Sequence, residues 1–388
     1  MNNQGVYLND LGIINSQAEG KIDVLNAILS GRKDHFIKQS VGDKEYPVAL
    51  CSIRDKRSNR INKLLKPVCE EIAPSVKILI SKYGHGRIGV ILGSTDNGSE
   101  QALNALREFK KSGNFPEGYE LKEQQAHTPA EYIKEFFCLN SIATTISTAC
   151  TSSGSAFILA RKFLESELLD GVIVGGADIV SESVLKGFVS LEAVDPNPTN
   201  PFSSNRKGIN LGEGAALFVM SRDRITDSHI KLIGCGETSD AHHITAPDPG
   251  GAGAVRAMIR ALKDSRLSTV DYINLHGTGT ELNDKMEAIA MGQVFPDFPL
   301  MSSTKPMVGH TLGAASAIEL GFCWLLLSKL NEGKRLPPHL WDEKRPEDMQ
   351  PLNFVPENFF AEKIQTCMSN SYAFGGCNVS LIISRVEK

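Results

Sequence analysis

The chain has 388 residues, 41 Lys plus Arg against 45 Asp plus Glu, and a formal net charge of −4. That length suits one large unit or two packed halves, and the slight acidity excludes bulk attraction to nucleic acid or to an anionic membrane. The eight cysteines, Cys51, Cys69, Cys138, Cys150, Cys235, Cys323, Cys367 and Cys377, form neither a CxxC pair nor a disulfide-rich pattern, which points to a reducing compartment.

The N-terminal "MNNQGVYLNDLGIINS" lacks a basic region followed by an apolar core, so no signal peptide is read and a cytoplasmic location is expected. In "RDKRSNRINKLLK", residues 54–66, Arg57, Arg60 and Lys63 recur at helical spacing, as an exposed positive stripe or an ordinary solvated face. Short β-branched runs at 87–93, 171–180, 215–221, 271–277 and 379–384 end in glycine or polar turns and predict buried strands. Between them Phe157, Ala160, Leu164 and Leu168 share one helical face, with Gly171 placed as its C-cap, and Val255, Ile259 and Leu262 share another. This alternation, without linker, low-complexity tract or obvious repeat, predicts α/β layering. The charged stretch 221–230 marks where two halves would meet. Residues 311–330, "TLGAASAIELGFCWLLLSKL", come close to the about 20 apolar residues of a membrane span, but Glu319 sits in the middle. A buried core helix is expected there.

"ISTACTSSGSA", residues 146–156, carries Cys150 from a strand-like run to the head of an amphipathic pattern reaching about Leu169. A helix N-terminus favours the thiolate and lowers a thiol pKa that is ordinarily about 8.5. The small residues that follow leave room for an acyl group. Free cysteines are also among the most buried residues, so this segment alone leaves nucleophile and packed thiol both open. His276 in "NLHGTGTELNDKMEA" and His310 in "SSTKPMVGHTLGAASAIE" each occupy the same kind of strand-to-helix corner. Such corners converge at the carboxyl ends of strands, and three together favour a catalytic site.

Glu319 in an apolar helix needs a partner, and Lys305 at the head of that helix is the candidate. The turn Phe374-Gly375-Gly376 in "MSNSYAFGGCNVSLII" fits either a backbone N–H aimed at an oxyanion or a tight hairpin, with Cys377 beside it read as packing. His242 and His243, being adjacent, would point apart in a strand, and no further ligand spacing completes a metal site, so no metal is expected.

Taken together, "TACTSS", "HGTGT", "STKPMVGHTLGAA" and "NSYAFGG" resemble the β-ketoacyl-acyl-carrier-protein synthases of the type II elongating class, and their order covers most of the chain. The resemblance implies a thiolase-like five-layered αβαβα fold with two pseudo-duplicated halves, 1–224 carrying the cysteine and 225–388 carrying the histidines, the lysine and the Phe-Gly-Gly turn. It implies that Cys150 takes the acyl group as a thioester. His276 and His310 would then stabilise the enolate formed as malonyl carrier protein loses carbon dioxide.

The oxyanion hole would be the N–H groups of Cys150 and Phe374, with Lys305 paired to Glu319, and Asp284 and Glu287 in the network behind. Thr278 and Thr280 would contact the phosphopantetheine arm, and two gating loops would be formed by Phe374, Gly375 and Gly376 and by 237–251, with Asp240 near the start of the latter. No cofactor is implied beyond that carrier-bound arm. The implied partners are acyl carrier protein and a second subunit, either a homodimer mate or a chain-length-factor-like homologue; neither nucleic acid nor a membrane span is implied. Carrier docking gives the 54–66 stripe its functional reading.

Region 95–135 matches the fatty-acid enzymes poorly. "YLNDLGIIN", "NPFSSNRKGINLGE", "TSDAHHITAPDP" and "LPPHLWD" look more like the ketosynthases of bacterial aryl-polyene clusters. A general fatty-acid elongating ketosynthase remains the alternative. A non-catalytic chain-length factor is disfavoured by retention of Cys150, His276 and His310. A thiolase, with Cys377 as second cysteine, fits the two histidine turns less well.

Overall fold

Short Val-, Ile- and Leu-rich runs set the strands, and glycine or polar joints set where each ends. The computed structural model describes residues 5–53, 59–96 and 98–386. The first half of the chain builds β1 (Val6–Asn15), α1 (Lys21–Ser30), β2 (Ile37–Val41), β3 (Lys44–Ala49), α2 (Arg60–Tyr83), β4 (Ile88–Gly93), α3 (Ser99–Ser112), α4 (Thr128–Phe136), β5 (Ala143–Ile146), α5 (Ser152–Glu165), β6 (Gly171–Asp178), α6 (Glu182–Ser190), β7 (Leu211–Gly212) and β8 (Gly214–Ser221). The second builds β9 (Ile230–Ser239), α7 (Ala252–Ser265), β10 (Tyr272–Asn274), α8 (Glu281–Val294), β11 (Leu300–Ser302), α9 (Lys305–Val308), α10 (Ala315–Leu327), β12 (Thr366–Tyr372) and β13 (Cys377–Arg385).

Ten strands form one sheet in the order β11-β10-β12-β13-β9-β1-β8-β6-β4-β5, and β2, β3 and β7 form a small second sheet. The large sheet is a duplication. From its middle outward, β1-β8-β6-β4-β5 pairs antiparallel, antiparallel, parallel, parallel. Moving the other way, β9-β13-β12-β10-β11 repeats that sequence of pairings. The halves meet where Val6 and Tyr7 pair with Leu232 and Lys231.

Helices α2 and α4 cover one face of the first half-sheet, and α7, backed by α8, covers the second. Between the half-sheets lie α5, touching β4, β6 and β13, and α10, touching β8, β12 and β13. The result is the five-layered αβαβα thiolase-like fold. All 13 residues of α10 are buried, Glu319 included, as expected for a core helix. Among the described residues no helix is long and apolar enough to cross a membrane.

Two helix readings are corrected. After Cys150 the helix stops at Glu165 and Glu167 turns left-handed at φ 59°, so Leu168 is exposed. Gly171 opens β6 instead of capping the helix; a Cβ there would meet Leu79 Cδ2 at 2.3 Å. On α7 the buried face is Ala254, Ala257, Met258, Ala261 and Leu262, while Ile259 is exposed. Small side chains let α7 press onto β9, where a Cβ on Gly236 would lie 1.9 Å from the Ala257 carbonyl oxygen. Close approach outranked side-chain size in choosing the face.

A similar close approach supports α5, the helix that follows Cys150. A Cβ on Gly93, the last residue of β4, would sit 2.1 Å from the Ser153 amide nitrogen. Gly93→Ala is therefore expected to cost about 1–3 kcal/mol, read as a lowered urea midpoint with an unchanged m-value.

Candidate active site

Cys150 lies between β5 and α5, and the preceding Ala149 holds φ 53°. A non-glycine residue in that region is strained by about 1–3 kcal/mol, as at the sharp turns that present nucleophiles. His276 follows β10 through Leu275, whose N–H donates to the Ser302 carbonyl. His310 follows α9 at Gly309, φ 72°, and its backbone is fixed by bonds to Asn210 and Gly212. The three corners close on one point. Cys150 Sγ is 3.1 Å from His310 Nε2, and the two imidazoles stand edge to face with centroids 5.4 Å apart.

The tautomers follow from the donors behind the rings. The Leu312 N–H donates to His310 Nδ1 at 3.2 Å, so the ring proton of a neutral His310 is on Nε2, facing sulfur. Lys305 Nζ lies 3.4 Å from His276 Nδ1, and an ammonium can only donate, so His276 also carries its proton on Nε2. Burial and the Lys305 charge hold both histidines well below the usual imidazole range. They are neutral hydrogen-bond donors at neutral pH.

Lys305 reaches Glu319 at 2.5 Å, with 1% and 3% of the side chains exposed, as the sequence suggested. Burial pushes the Glu319 carboxyl up to about 6 against the lowering by Lys305. Glu287 accepts the N–H groups of His276 and Gly277 at 2.8 and 2.7 Å, and Asp284 accepts those of Phe202 and Gly279 at 2.7 and 3.2 Å. These carboxylates fix the 276–280 turn from behind.

Thr278 and Thr280 line the cavity above Cys150, with hydroxyls 2.9 Å apart. That cavity holds about 520 Å³ and also reaches Phe188, Ile209, Lys207 and Phe374. The Phe374 backbone N–H lies near enough to the Cys150 sulfur to favour its thiolate. The two loops at the mouth are tied together: Asp240 N–H to the Gly376 carbonyl at 2.8 Å, Gly375 N–H to the Ile244 carbonyl at 2.8 Å, and Asn378 Nδ2 to Asp240 Oδ1 at 2.7 Å.

Several readings change. Burial pushes the Cys150 thiol up to about 11, outweighing the lowering by Lys305 and the Phe374 N–H, so the expected depressed pKa is not found. Arg60 is no part of an exposed stripe, since its guanidinium turns inward to the fully buried Glu213, Nε to Oε2 at 2.9 Å. Arg57 lies outside the described residues. Cys377 packs beside Thr151 and Ser155 and does not line the cavity, which removes the two-cysteine thiolase reading.

Among the described residues the one grouping with metal-ligand spacing is Cys150, His276 and His310, whose ligand atoms lie within 4.8 Å of one another. Metal-binding histidines donate their second N–H to an acceptor. Here both Nδ1 atoms already receive a proton donor, Lys305 or Leu312 N–H, leaving Nε2 no lone pair for a metal. The cluster does not fit a metal site.

Sequence reading missed Phe188, whose ring stacks on Phe374 at 6.0 Å and 28°, and Tyr372, which stands edge-on to His276. Phe188 carries no motif, whereas Tyr372 lies within "NSYAFGG", two residues before Phe374. Only the long-range pairing of β12 and α6 with the site reveals them.

The duplicated half-sheets with the cysteine at the head of a central helix define the thiolase-like class. The chain belongs to the β-ketoacyl synthase family: the N-terminal domain of that family matches residues 45–224 and the C-terminal domain residues 229–339. Among curated relatives, a protein of Schizosaccharomyces pombe named as a mitochondrial 3-oxoacyl-acyl-carrier-protein synthase is 33% identical over 322 residues, 76% of this chain and 74% of its own. A ketosynthase (ApeO) solved in complex with its chain length factor (ApeC) from Xenorhabdus doucetiae superposes with TM-score 0.90 at 33% identity, over 99% of this chain and 98% of that one. The ishigamide ketosynthase/chain length factor superposes with TM-score 0.87 at 26% identity, over 99% and 100%.

Two outcomes follow from the electrostatics. Peptide-level iodoacetamide labelling of Cys150 is expected to rise about tenfold per pH unit through about pH 9. A plateau near neutrality would mean a depressed thiol pKa. Glu319→Ala strands the Lys305 charge and is expected to cost about 3–5 kcal/mol in denaturant unfolding.

Proposed function

We propose that the chain catalyses decarboxylative Claisen condensation of a Cys150-bound acyl group with malonyl-acyl-carrier-protein, giving 3-oxoacyl-acyl-carrier-protein, in the extension of an aryl-polyene chain. The observation that carries this is the pair of Nε2–H donors, His276 and His310, converging beside the Cys150 sulfur. In the first half-reaction sulfur attacks the carrier thioester, the oxyanion is held by backbone N–H groups of Cys150 and Phe374, and the phosphopantetheine thiol leaves with the proton. In the second, the malonyl C–C bond breaks, carbon dioxide leaves, and the enolate oxygen accepts both Nε2–H bonds. The enolate carbon then attacks the Cys150 thioester and sulfur leaves. A neutral imidazole serves this better than a cation, because it donates without surrendering its proton to the enolate.

Thr278 and Thr280 receive the phosphopantetheine arm, and Asp240, Phe374, Gly375 and Gly376 gate the mouth. No cofactor is required beyond that carrier-bound arm. The halves 1–224 and 225–388 divide the labour, nucleophile in the first and enolate donors in the second.

The second subunit is a chain-length-factor-like homologue docking along β5. That strand ends the sheet, an uncovered edge invites pairing, and the ApeO and ishigamide ketosynthases are named with chain length factors, which supports the reading. The aryl-polyene branch is supported by the likeness to ApeO together with the sequence phrases that first suggested it.

Cys150→Ala is expected to abolish acyl loading, read by intact mass; persistent loading at another cysteine would move the nucleophile. His276→Ala and His310→Ala are each expected to lower carbon dioxide release from malonyl carrier protein by about 100-fold or more. Condensation with aromatic polyenoyl carriers is expected to outpace that with saturated acyl carriers. Equal or better use of saturated chains identifies a general fatty-acid elongating enzyme instead.

A further inference from the structure

A carboxylate outside the site just described commands one of its rings. Asp178, at the end of β6, is 1% exposed and accepts hydrogen bonds from five donors. Ser94 Oγ and the Asp96 N–H reach Oδ1 at 3.0 and 2.8 Å, and Thr95 Oγ1 reaches Oδ2 at 2.9 Å. The Thr95 N–H is shared between the two oxygens at 3.0 and 3.1 Å. The fifth donor comes from the other half of the chain: the Gly313 N–H reaches Oδ2 at 2.5 Å.

Gly313 follows Leu312, the residue whose own N–H donates to His310 Nδ1. Leu312 holds φ 54°, a left-handed conformation that costs about 1–3 kcal/mol in a non-glycine residue and persists only where its surroundings impose it. The turn has no room to relax. A Cβ on Gly313 would lie 2.6 Å from Asp178 Oδ2 and 2.9 Å from the Thr95 nitrogen, and a Cβ on Gly176 would lie 2.9 Å from Ala314 Cα.

We infer that Asp178 is a positioning residue for the condensation: by holding the Gly313 N–H it locks Leu312 in its strained turn, aims the Leu312 N–H at His310 Nδ1, and so keeps the His310 proton on Nε2. This rests on the reading of His310 as an enolate donor. Only an ionised carboxylate accepts from all five donors at once, and because burial and the neighbouring Asp96 push the Asp178 carboxyl up to about 7, the full set is made on the alkaline side of that value. An amide at this place would turn an NH2 toward the donors at one of its two positions, either Gly313 and Thr95 or Ser94 and Asp96. Asp178 touches no substrate; its effect reaches the chemistry through one peptide unit and one ring.

The test uses the full chain with malonyl carrier protein. Asp178→Asn is expected to lower the kcat of carbon dioxide release at least tenfold with KM for malonyl carrier protein unchanged. In 15N-histidine spectra the His310 ring, assigned by its loss in His310→Asn, is expected to leave the single Nε2–H pattern for a mixture of tautomers. Ser94→Ala, which removes a donor from the far oxygen, is expected to stay within about twofold of the parent. If Asp178→Asn does not fold, Asp178→Glu keeps the charge one methylene out of place and is expected to show a smaller loss with the same spectral change.

Parental kcat together with a parental His310 spectrum in the substituted protein overturns the inference. A kcat loss with the His310 spectrum unaltered overturns it too, because the effect would then run by another route. If the unsubstituted protein releases no carbon dioxide, the reading of the site falls instead, and the spectrum alone still decides whether Asp178 sets the tautomer.

Discussion

The buried ion pair between Lys305 and Glu319 underlies the arrangement of the centre. Burying two charges costs several kcal/mol per ion, and well-packed apolar residues would stabilise the fold at least as well. No apolar residue, however, could hold an imidazole in one tautomer. Lys305 does this by donating to His276 Nδ1, and its charge helps keep both histidines neutral. Glu319 keeps that cation in place from the middle of α10, although its second oxygen finds no partner among the described residues. What the pair supplies that apolar packing would not is a fixed donor to His276 Nδ1.

The remaining buried carboxylates follow the same logic by other means. Among the described residues Glu287 and Asp284 carry no counter-ion at hydrogen-bond distance and are satisfied by backbone N–H groups of the turn they shape and of Phe202. Burial pushes Glu287 up to about 8, against the pull of those two amides. Negative groups thus sit behind the peptide units, never facing the sulfur, where they would oppose an enolate. The duplicated sheet makes this possible, because corners from both halves arrive at one side of the central helices with their backbones free to be gripped from behind.

Much of this was legible in the sequence because chemistry and turns are local. Cys150 and His276 stand beside residues that force a strand-to-helix corner, while His310, read the same way, lies between α9 and α10 after Gly309, and a glutamate stranded in an apolar helix demands a cation. What stayed illegible depends on approach distances and long-range neighbours. The face of α7 was set by glycines on β9, not by the size of its own side chains. Arg60 reads as a surface cation until the buried Glu213, more than a hundred residues away, is known. The thiol's raised pKa likewise comes from how deeply the layers enclose it, which a helix-end argument does not contain. Asp178 follows Gly175, Gly176 and Ala177 at the end of β6 and has no signature of its own.

The bonds that join the two loops at the cavity mouth have a kinetic meaning. Three of them connect Asp240, Ile244, Gly375, Gly376 and Asn378, each with a net strength of about 1 kcal/mol. Displacing the 240–244 segment alone sacrifices all three, whereas displacing the 374–376 turn alone sacrifices two, because Asn378 belongs to β13. Each segment is therefore restrained by the other, and displacing the 374–376 turn would also carry the Phe374 backbone away from Cys150.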